Sequence, residues 1–481
     1  MLPSLLLLTA LPAAAQDASR LLPRADRTAV MTPEKLRRPE PQAMVWISRE
    51  DGKALLLPSP LSKGCAVAGD GAVTVTIDPA AALQPIDGFG AALTESAVIA
   101  LNGLTDARRA GALEELFGPS GLHLSMLRLP IGANDFSKGD YSCEEPSRCL
   151  GPFLKDLRKI RGLNPTLKIV GSPWTAPAAM KTNGEMGPGS LKPSDFASYA
   201  EYLARFARAA RDAGAPLSYL TPVNEPLSDA NMEKNLYPTM FMTAPEQAKL
   251  IGDFLGPALS RAGVPDVKIL AFDHNWSGAG FAREVLSGPR SGAYTAGAAF
   301  HCYDGSPDMM APLRADFPRK EIHFTECSAG AWSGPFKDSF LWAVKNVVVG
   351  NLANGARSVM YWNLALDEAG GPTNRGCRNC RGVLTVNRYS GDYDREPEYY
   401  ALAHGAKAVQ PGSVVVASRA EPAAEGFSQV AARAPSGVLS VISVNESDRE
   451  RRLRLRAGTS CYEFTQPAKS AATARWTPSS I

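Results

Sequence analysis

Two glutamates at the ends of apolar, strand-like runs are the residues of this chain best suited to chemistry. The run Leu217–Pro226 (LSYLTPVNEP) ends in a polar triplet that contains Glu225, and the run Lys320–Gly330 (KEIHFTECSAG) delivers Glu326. A carboxylate at the mouth of a buried strand is costly unless something uses it. A surface glutamate in an ordinary strand-to-helix loop is the alternative for either residue alone. The same pattern in two places favours a shared function.

Paired carboxylates that face each other across a pocket can hydrolyse a glycosidic bond with retention. One carboxyl group protonates the departing oxygen and later deprotonates water, while the other attacks the sugar carbon. The acid must keep its proton while the nucleophile stays ionised, so their surroundings must separate the two pKa values. Pro226 restricts the backbone beside Glu225, and Arg128 is the candidate cation that would keep Glu326 ionised. Asn224 can donate a hydrogen bond to a sugar 2-hydroxyl.

The segment 85–405 alternates between strand-like and helix-like runs, which predicts a (β/α)8 TIM barrel. The predicted strands are Ile86–Glu95, His123–Asp135, Leu167–Pro177, Leu217–Pro226, Val267–Trp276, Ala298–Asp304, Glu321–Glu326 and Ser358–Asp367. Examples of the predicted helices are Asp106–Phe117, Pro193–Ala213 with Ser194 and Asp195 as a cap, Pro245–Ala262 and Asp338–Asn354. Glu225 and Glu326 then end the fourth and seventh strands, on the face where barrel enzymes carry their catalytic residues.

Strands without helices flank this segment, at 43–84 and at 406–481, and predict a β-sandwich built from both chain ends. The C-terminal strands are predicted at Ser413–Ser418, Phe427–Ala434, Val438–Val444, Arg452–Arg456 and Tyr462–Thr465. The run Arg451–Arg456 (RRLRLR) alternates arginine with leucine. It could contact anionic lipid headgroups peripherally, although a solvated sandwich face is the more common outcome for such a pattern.

The composition is that of a soluble globular protein. The chain has 481 residues, of which 45% are hydrophobic and 21% charged, and its net charge of +3 is too small to indicate nucleic acid as a partner. Residues 1–15 resemble a signal peptide, with an apolar core at Leu5–Leu8 and a cleavage site after Ala15, although no lysine or arginine lies near Met1. Residues 16–42 are predicted to form a flexible leader. We therefore expect a secreted or periplasmic protein, and the sequence does not indicate its oligomeric state.

Eight cysteines are consistent with an oxidising compartment. Local disulfides are predicted for Cys143 with Cys149 and for Cys377 with Cys380, where a zinc site is the rival interpretation. Cys65 and Cys461 could pair if the chain ends share a domain. The two remaining cysteines, Cys302 and Cys327, are expected to be buried thiols.

Several aromatic and acidic residues at predicted strand ends could contact a sugar. Trp174, Trp276, Tyr303 and Trp362 could face the C–H groups of a sugar ring, and Asp87 and Asp135 could accept hydrogen bonds from its hydroxyls. For each of them alone, a core aromatic ring or a capping aspartate is at least as common. His301 and His323 are expected to be structural, and His274 is left open.

Several long motifs in order resemble glycoside hydrolase family 30, the glucosylceramidase family. They are DGFGAALTES (87–96), RLPIGANDFS (128–137), GSPWTAPAAMKTNG (171–184), TPVNEP (221–226), FTECSAG (324–330) and YWNLALDEAGGP (361–372). The resemblance implies a (β/α)8 barrel with a flanking β-sandwich, Glu225 as acid/base and Glu326 as nucleophile. It also implies a glucose pocket of Arg128, Asp135, Trp174, Asn224, Tyr303 and Trp362, with no cofactor and no metal.

The sequence departs from the animal lipid-degrading members in two loops. One lies between Pro226 and Tyr237, and the other follows Pro372 and contains the pair Cys377 and Cys380, as in bacterial members, some of which cut β-1,6-glucans. Both loops would border the leaving-group side of the cleft. A glucosylceramidase-like enzyme acting on glycolipid or related β-glucosides is therefore the first expectation, and an endo-β-1,6-glucanase the alternative. A non-catalytic carbohydrate-binding barrel is the rival of another class.

Overall fold

The computed structural model describes residues 43–65, 71–227, 237–334 and 336–478. The predicted signal peptide (1–15) and leader (16–42) lie outside the described residues, as does most of the loop between Pro226 and Tyr237. None of the helices within these ranges is both long and apolar enough to cross a membrane.

The described strands fall into groups along the chain. Ahead of the barrel come β1 (Ala43–Arg49), β2 (Leu57–Pro60), β3 (Ser62–Lys63) and β4 (Val73–Pro85). The barrel consists of β5 (Gly88–Ala92), β6 (Met126–Ile131), β7 (Lys168–Pro173), β8 (Tyr219–Leu220), β9 (Lys268–Asn275), β10 (Thr295–His301), β11 (Glu321–Glu326) and β13 (Ala356–Asn363). Short strands in its loops are β12 (Ala329–Gly330), β14 (Ala365–Asp367), β15 (Cys380–Arg381), β16 (Leu384–Asn387) and β17 (Asp392–Arg395). The chain continues with β18 (Val414–Glu421), β19 (Phe427–Arg433), β20 (Leu439–Asn445), β21 (Arg451–Ala457), β22 (Ser460–Gln466) and β23 (Ser470–Trp476).

Helices follow most barrel strands. They are α1 (Glu95–Asn102), α2 (Asp106–Phe117), α3 (Pro146–Leu150), α4 (Leu154–Leu163), α5 (Phe196–Asp212), α6 (Ala244–Lys249), α7 (Gly256–Arg261), α8 (Ala279–Ser287), α9 (Ser291–Tyr294), α10 (Ala311–Asp316), α11 (Phe336–Trp342), α12 (Asn351–Ala353) and α13 (Pro397–Ala406). Two predicted helices contain π-helical middles, at Leu250–Leu255 and Ala343–Gly350. Asp195 occupies the N-cap position of α5, as predicted, but its side chain accepts no capping hydrogen bond from the helix backbone.

The predicted (β/α)8 barrel is confirmed. Its parallel strands close in the order β10-β11-β13-β5-β6-β7-β8-β9. A layer of interior side chains fills the barrel: Met126, Val170, Tyr219, Leu270, Ala299 and Met360. The interior is therefore a packed core, as is usual for this fold, and the site has to lie above it.

The fourth barrel strand is much shorter than the sequence predicts. Regular pairing in β8 stops at Leu220, whereas the predicted strand runs to Pro226. The backbone nevertheless continues between its neighbours, because the Asn224 N–H donates to the Pro173 carbonyl at 2.7 Å. Glu225 has a φ of 46°, in the left-handed region that regular strands do not use. The extended backbone therefore continues to Asn224 without regular pairing and turns at the glutamate.

The two chain ends form one sheet that doubles over as a sandwich, as predicted. The strand order is β2-β1-β23-β20-β19-β18-β4-β21-β22-β3. The rings of Tyr462 in β22 and Trp476 in β23 lie 5.8 Å apart, although five strands separate β22 from β23 in that order. Within β21, Leu453 and Leu455 are buried, and the buried Arg454 pairs with Glu463 at 2.8 Å. The alternation of RRLRLR thus reflects strand packing.

All eight cysteines lie in the described residues and all are paired. The predicted disulfides Cys65–Cys461, Cys143–Cys149 and Cys377–Cys380 are present. The expectation of free thiols at Cys302 and Cys327 is wrong, because these two residues form a disulfide with a Cα–Cα distance of 5.3 Å. Each follows directly on one of the adjacent strands β10 and β11, so the parallel pairing brings them side by side.

A buried histidine joins the barrel to the sandwich. In α13, His404 Nδ1 lies 2.9 Å from the hydroxyl of Thr473 in β23, and Nε2 lies 2.9 Å from the hydroxyl of Ser48 in β1. Burial lowers the pKa of His404 to about 3. Between about pH 3 and pH 6.5 the ring is therefore neutral in the folded protein, while the unfolded chain binds a proton there.

We expect acidification to weaken this junction. The unfolded histidine has a pKa near 6.5, so the stability that the neutral His404 contributes is complete above that pH. It is lost toward pH 3 by about 1.4 kcal/mol per pH unit. Replacement His404→Gln should flatten this part of the dependence of unfolding free energy on pH, measured by denaturant titration between pH 7 and 4. His123→Asn, at a partly exposed ring whose pKa burial also lowers, is the control and should flatten the slope less. An unchanged slope in His404→Gln would contradict the assignment.

Candidate active site

Glu225 and Glu326 meet at the C-terminal end of the barrel. Glu225 follows β8, Glu326 is the last residue of β11, and a carboxylate oxygen from each lies within 4.8 Å of the other. Retaining glycosidases hold their two carboxyl groups about 5–5.5 Å apart, whereas inverting enzymes need a wider gap. This spacing fits the retaining class, in which one carboxylate attacks the sugar directly.

Arg128, in β6, is fully buried beneath the two glutamates. Its Nη1 forms an ion pair with Glu326, as predicted from the sequence. Its Nη2 donates hydrogen bonds to Asn224 Oδ1 at 2.7 Å, Asp273 Oδ2 at 2.8 Å and Ser172 Oγ at 3.0 Å. Since arginine only donates, Asn224 must present its amide oxygen here, which leaves the N–H₂ group for other acceptors.

Asp273 is the buried counter-charge of Arg128. Its two oxygens accept hydrogen bonds from Arg128, Ser172, Thr221 and Thr325, and Oδ1 also lies against His301. Burial by itself would raise the pKa of Asp273, but Arg128 and His301 outweigh it and hold the pKa well below the usual range. Asp273 is therefore an anion throughout the working pH range.

His301, expected to be structural, lies inside the site. Its Nδ1 is 3.0 Å from Glu225 Oε1, and its Nε2 is 3.1 Å from Asp273 Oδ1. Burial disfavours the charged ring, but the surrounding carboxylates of Glu326, Asp273 and Glu225 outweigh burial and raise the pKa of His301 to about 9. The expectation overlooked that β10 ends beside β11 and β9, which places the ring between three acids.

The pKa directions of the two glutamates are the reverse of those that bond cleavage requires. Burial by itself would raise the pKa of Glu225, but His274 and His301 outweigh it and hold the pKa below its ordinary value. Because burial lowers the pKa of His274, His301 is the ring that carries charge at neutral pH. Burial raises the pKa of Glu326, against His301 and Arg128. The free site thus keeps its mobile proton on His301.

Two predicted sugar contacts lie beside the glutamates. The Tyr303 hydroxyl donates to Glu326 Oε1 at 2.8 Å. Asp135 is half-buried, and its enclosed Oδ1 has no hydrogen-bond partner. Burial, with the charges of Glu326 and Glu225, raises the pKa of Asp135. A buried acceptor without a partner is a position that a sugar hydroxyl would satisfy.

The two predicted tryptophans are packed as a wall. The rings of Trp174 and Trp362 stack with centroids 4.7 Å apart, and each ring is only 2% exposed. The Arg128 guanidinium lies 4.8 Å from the Trp174 ring centroid and 5.5 Å from that of Trp362. Their faces therefore pack against Arg128. The two buried rings do not form an open stacking platform for the sugar.

Three other residues considered from the sequence lie elsewhere. Asp87 lies at the opposite end of the barrel, where it pairs with Lys168 at 2.6 Å and accepts from the Tyr219 hydroxyl, so its expected sugar contact is wrong. Trp276 is buried against Phe324, which makes it a core residue. His323 also lies at that opposite end, as a structural residue should.

Sequence reasoning missed the polar residues that hold the site together. They share one signal, a position at or next to the C-terminal end of a barrel strand: Ser172, Thr221, Asp273 and Thr325. Tyr237 was also missed, and it packs against the cluster that contains Trp174 and Trp362. The oxygens of Glu225 and Glu326 with a nitrogen of His301 could in principle ligate a cation, but the Arg128 guanidinium already neutralises Glu326.

A TIM barrel that carries two facing carboxylates at the C-terminal ends of its fourth and seventh strands is a glycoside hydrolase architecture. Residues 86–409 match the glycosyl hydrolase family 30 TIM-barrel domain. The chain belongs to this family and is a glycoside hydrolase, as its motifs predicted.

Relatives within the family act on different substrates. The endo-1,6-β-D-glucanase of Aspergillus fumigatus is 31% identical over 403 residues, which cover 75% of this chain and 78% of that protein. The putative glucosylceramidase 3 of Caenorhabditis elegans is 29% identical over 376 residues, covering 73% and 71%. The solved endo-β1,6-glucanase BT3312 matches with a TM-score of 0.83 and 28% identity, over 91% of this chain and 100% of that one.

Removing Arg128 should damage both stability and activity. Arg128→Met leaves the buried carboxylates of Asp273 and Glu326 without the cation they share, so we expect a loss of roughly 3–5 kcal/mol in unfolding free energy. The folded fraction should also lose about 100-fold or more in kcat/KM, since Glu326 loses its position. Denaturant unfolding and initial rates on the same preparation measure the two effects.

Arg109→Met is the matched control. Arg109 makes a buried ion pair with Asp156 between α2 and α4, away from the site. We expect the Arg109→Met variant to lose stability, while its kcat/KM per folded molecule stays at the wild-type value. Equal loss of kcat/KM in both variants would show that Arg128 acts only through folding.

Proposed function

We propose that this protein is a retaining endo-β-1,6-glucanase. The observation that carries the proposal is the close pair Glu225 and Glu326 in a chain whose similarity to endo-1,6-β-glucanases extends over about three quarters of its length. The solved relative BT3312, described by the same activity, is covered along its whole chain. A polymer of β-1,6-linked glucose is therefore the preferred substrate.

The proposed mechanism assigns one task to each carboxylate. Glu326 attacks the anomeric carbon, while Glu225 protonates the departing oxygen and later deprotonates the water that releases the sugar. The Arg128 ion pair and the Tyr303 hydroxyl fix the orientation of Glu326. The amide of Asn224 donates to the 2-hydroxyl, a bond that strengthens toward the transition state.

The remaining pocket residues would hold the sugar on the non-reducing side of the cut. Asp135 offers its unpaired oxygen to a hydroxyl, and Trp174 and Trp362 form the wall behind it. Glucosylceramidase activity is the second candidate, because putative glucosylceramidases are also relatives. The glucose side would be the same in both cases, so only the leaving-group side separates them.

An exposed indole supports a polymeric leaving group. Trp332 comes six positions after Glu326, in the turn that follows β12, and 53% of its surface is exposed. Its ring lies against Gly330. An exposed indole on the segment that follows Glu326 can serve as a platform for further sugar rings. We propose that Trp332 contacts glucose units beyond the cleaved bond.

We also propose that the enzyme acts outside the cytoplasm. The four disulfides support this, since such bonds persist in oxidising compartments. A glucan polymer would be met there.

Product analysis separates the two candidate substrates. Purified protein is incubated with linear β-1,6-glucan and, separately, with glucosylceramide in detergent, and the released sugars are separated by size. We expect a ladder of short oligosaccharides from the glucan and no glucose from the lipid. Glu326→Gln should abolish the ladder. Free glucose from the lipid alone would replace the glucanase proposal with the glucosylceramidase one.

Replacing the exposed indole should affect long substrates selectively. We expect Trp332→Ala to raise KM for β-1,6-glucan several-fold through lost sugar stacking, while kcat/KM for an aryl β-glucoside stays unchanged. Trp342→Ala removes an indole of similar exposure (45%) on α11 and is the control. Equal effects of Trp332→Ala on both substrates would remove Trp332 from the leaving-group side.

A further inference from the structure

The two catalytic carboxylates are joined by an unbroken chain of buried charges. Glu225 contacts His301 at 3.0 Å, His301 contacts Asp273 at 3.1 Å, Asp273 contacts Arg128 at 2.8 Å, and Arg128 pairs with Glu326. His301 Nδ1 also lies 4.0 Å from Glu326 Oε1, which closes the chain into a ring. His301 therefore senses the charge of both glutamates.

The surroundings of His301 allow Nδ1 to gain or lose a proton, while Nε2 stays protonated. Asp273 accepts four other hydrogen bonds and stays anionic, so Nε2 of His301 keeps its proton toward Asp273 in both states. Nδ1 lies at hydrogen-bond distance from Glu225, with Glu326 farther away at 4.0 Å. It can donate to the Glu225 carboxylate, or accept from the protonated Glu225, without moving. The geometry suits a proton that passes between the two residues.

Every charged group around His301 has a place in this balance. These groups are Glu225 after β8, Asp273 and His274 in β9, Glu326 in β11 and Arg128 in β6. The His274 ring lies 6.3 Å from that of His301 and the Tyr303 ring 6.2 Å from it. Burial lowers the pKa of His274, so its ring is neutral near pH 7. Arg128 and the three carboxylates are then the charged neighbours that act on His301.

We propose that His301 holds the proton that Glu225 delivers, so that the acid/base of this enzyme is a His301–Glu225 pair oriented by Asp273. The inference rests on the proposed retaining mechanism and deepens it. His301 does not touch the sugar and acts as a positioning residue for the proton.

The proton and the electrons balance in both steps. In the first step Glu326 bonds to the anomeric carbon, and the bond to the leaving oxygen breaks with its electron pair on that oxygen. Glu225 takes the Nδ1 proton of His301 and passes it to that oxygen, which leaves His301 neutral and Glu225 a carboxylate. In the second step water attacks the anomeric carbon and gives a proton to Glu225 and on to His301. The bond to Glu326 breaks with its pair on the carboxylate. Glu326 and His301 thus lose and regain their opposite charges together.

The first test is the pH profile of His301→Gln. The proton that is lost on the alkaline side belongs to the His301–Glu225 pair, and without His301 it is held by Glu225 alone. We expect the alkaline limb of kcat/KM to move to lower pH by one unit or more. At the optimum, kcat/KM should fall about 100-fold for phenyl β-glucoside, which needs protonation. It should fall much less for 2,4-dinitrophenyl β-glucoside, whose leaving group needs no acid.

His323→Gln is the matched control, because it removes a buried histidine from the other end of the barrel, where the ring pairs with Glu321. It should keep the wild-type limb and the wild-type ratio between the two aryl glucosides. An unmoved limb and equal losses on both glucosides in His301→Gln would overturn the inference. Failure of the wild type on β-1,6-glucan would instead overturn the proposed substrate, which leaves the aryl glucoside comparison interpretable.

The second test uses the wild-type protein and does not depend on a buried substitution. The chain has five histidines, so ¹⁵N-histidine labelling gives few imidazole signals. They are recorded against pH in the free enzyme and after Glu326 is trapped as an ester with 2-deoxy-2-fluoroglucosyl fluoride. We expect the titration midpoint of His301 to fall by one pH unit or more in the trapped enzyme, with Nε2 still protonated. An unchanged midpoint would overturn the inference.

Discussion

The buried guanidinium of Arg128 is the constraint on which the rest of the site depends. A fully buried cation is tolerated only when anions and hydrogen-bond acceptors surround it, and Asp273 and Glu326 supply the anions. Two anions against one cation leave an excess that His301 offsets by carrying a proton. The result is a ring of charges in which each group is stabilised by its oppositely charged neighbours. Several strand ends contribute to the ring because each supplies one of these groups.

This ring also accounts for the unusual backbone at the site. Glu225, Phe272 and Asp273 have φ values of 46°, 74° and 70°, each in the left-handed region. Such conformations cost of order 1–3 kcal/mol per residue and persist where the surroundings over-determine them. Here the Glu225 N–H donates to the Asp273 carbonyl at 2.9 Å, and the side chains of both residues meet at His301. The backbone strain and the charge ring therefore occur at the same residues.

The opposite end of the barrel shows what a purely structural cluster looks like. Asp87 and Glu321 are acids near a buried His323 there too, yet Lys168 and Arg357 neutralise them. Hydrogen bonding and charge from His323, with help from its basic neighbours, hold the pKa of Glu321 at about 2 against the effect of burial. The catalytic end differs in having an unpaired buried acceptor on Asp135 and a mobile proton. Acidic residues alone do not distinguish the two ends.

The sequence by itself determined the barrel, the sandwich from both chain ends and the two glutamates, because periodicity and strand-end motifs are local properties of the chain. Sequence analysis missed β23, because its alanines have little strand propensity. In the structure these small side chains are buried in a closely packed strand within the sheet. Sequence analysis also misplaced Asp87 and left His301 out of the site. Which end of a strand faces the substrate, and which strands are neighbours, depend on how the barrel closes. Only the tertiary structure decided that His301 lies between Glu225 and Asp273, because these contacts join residues far apart in the chain.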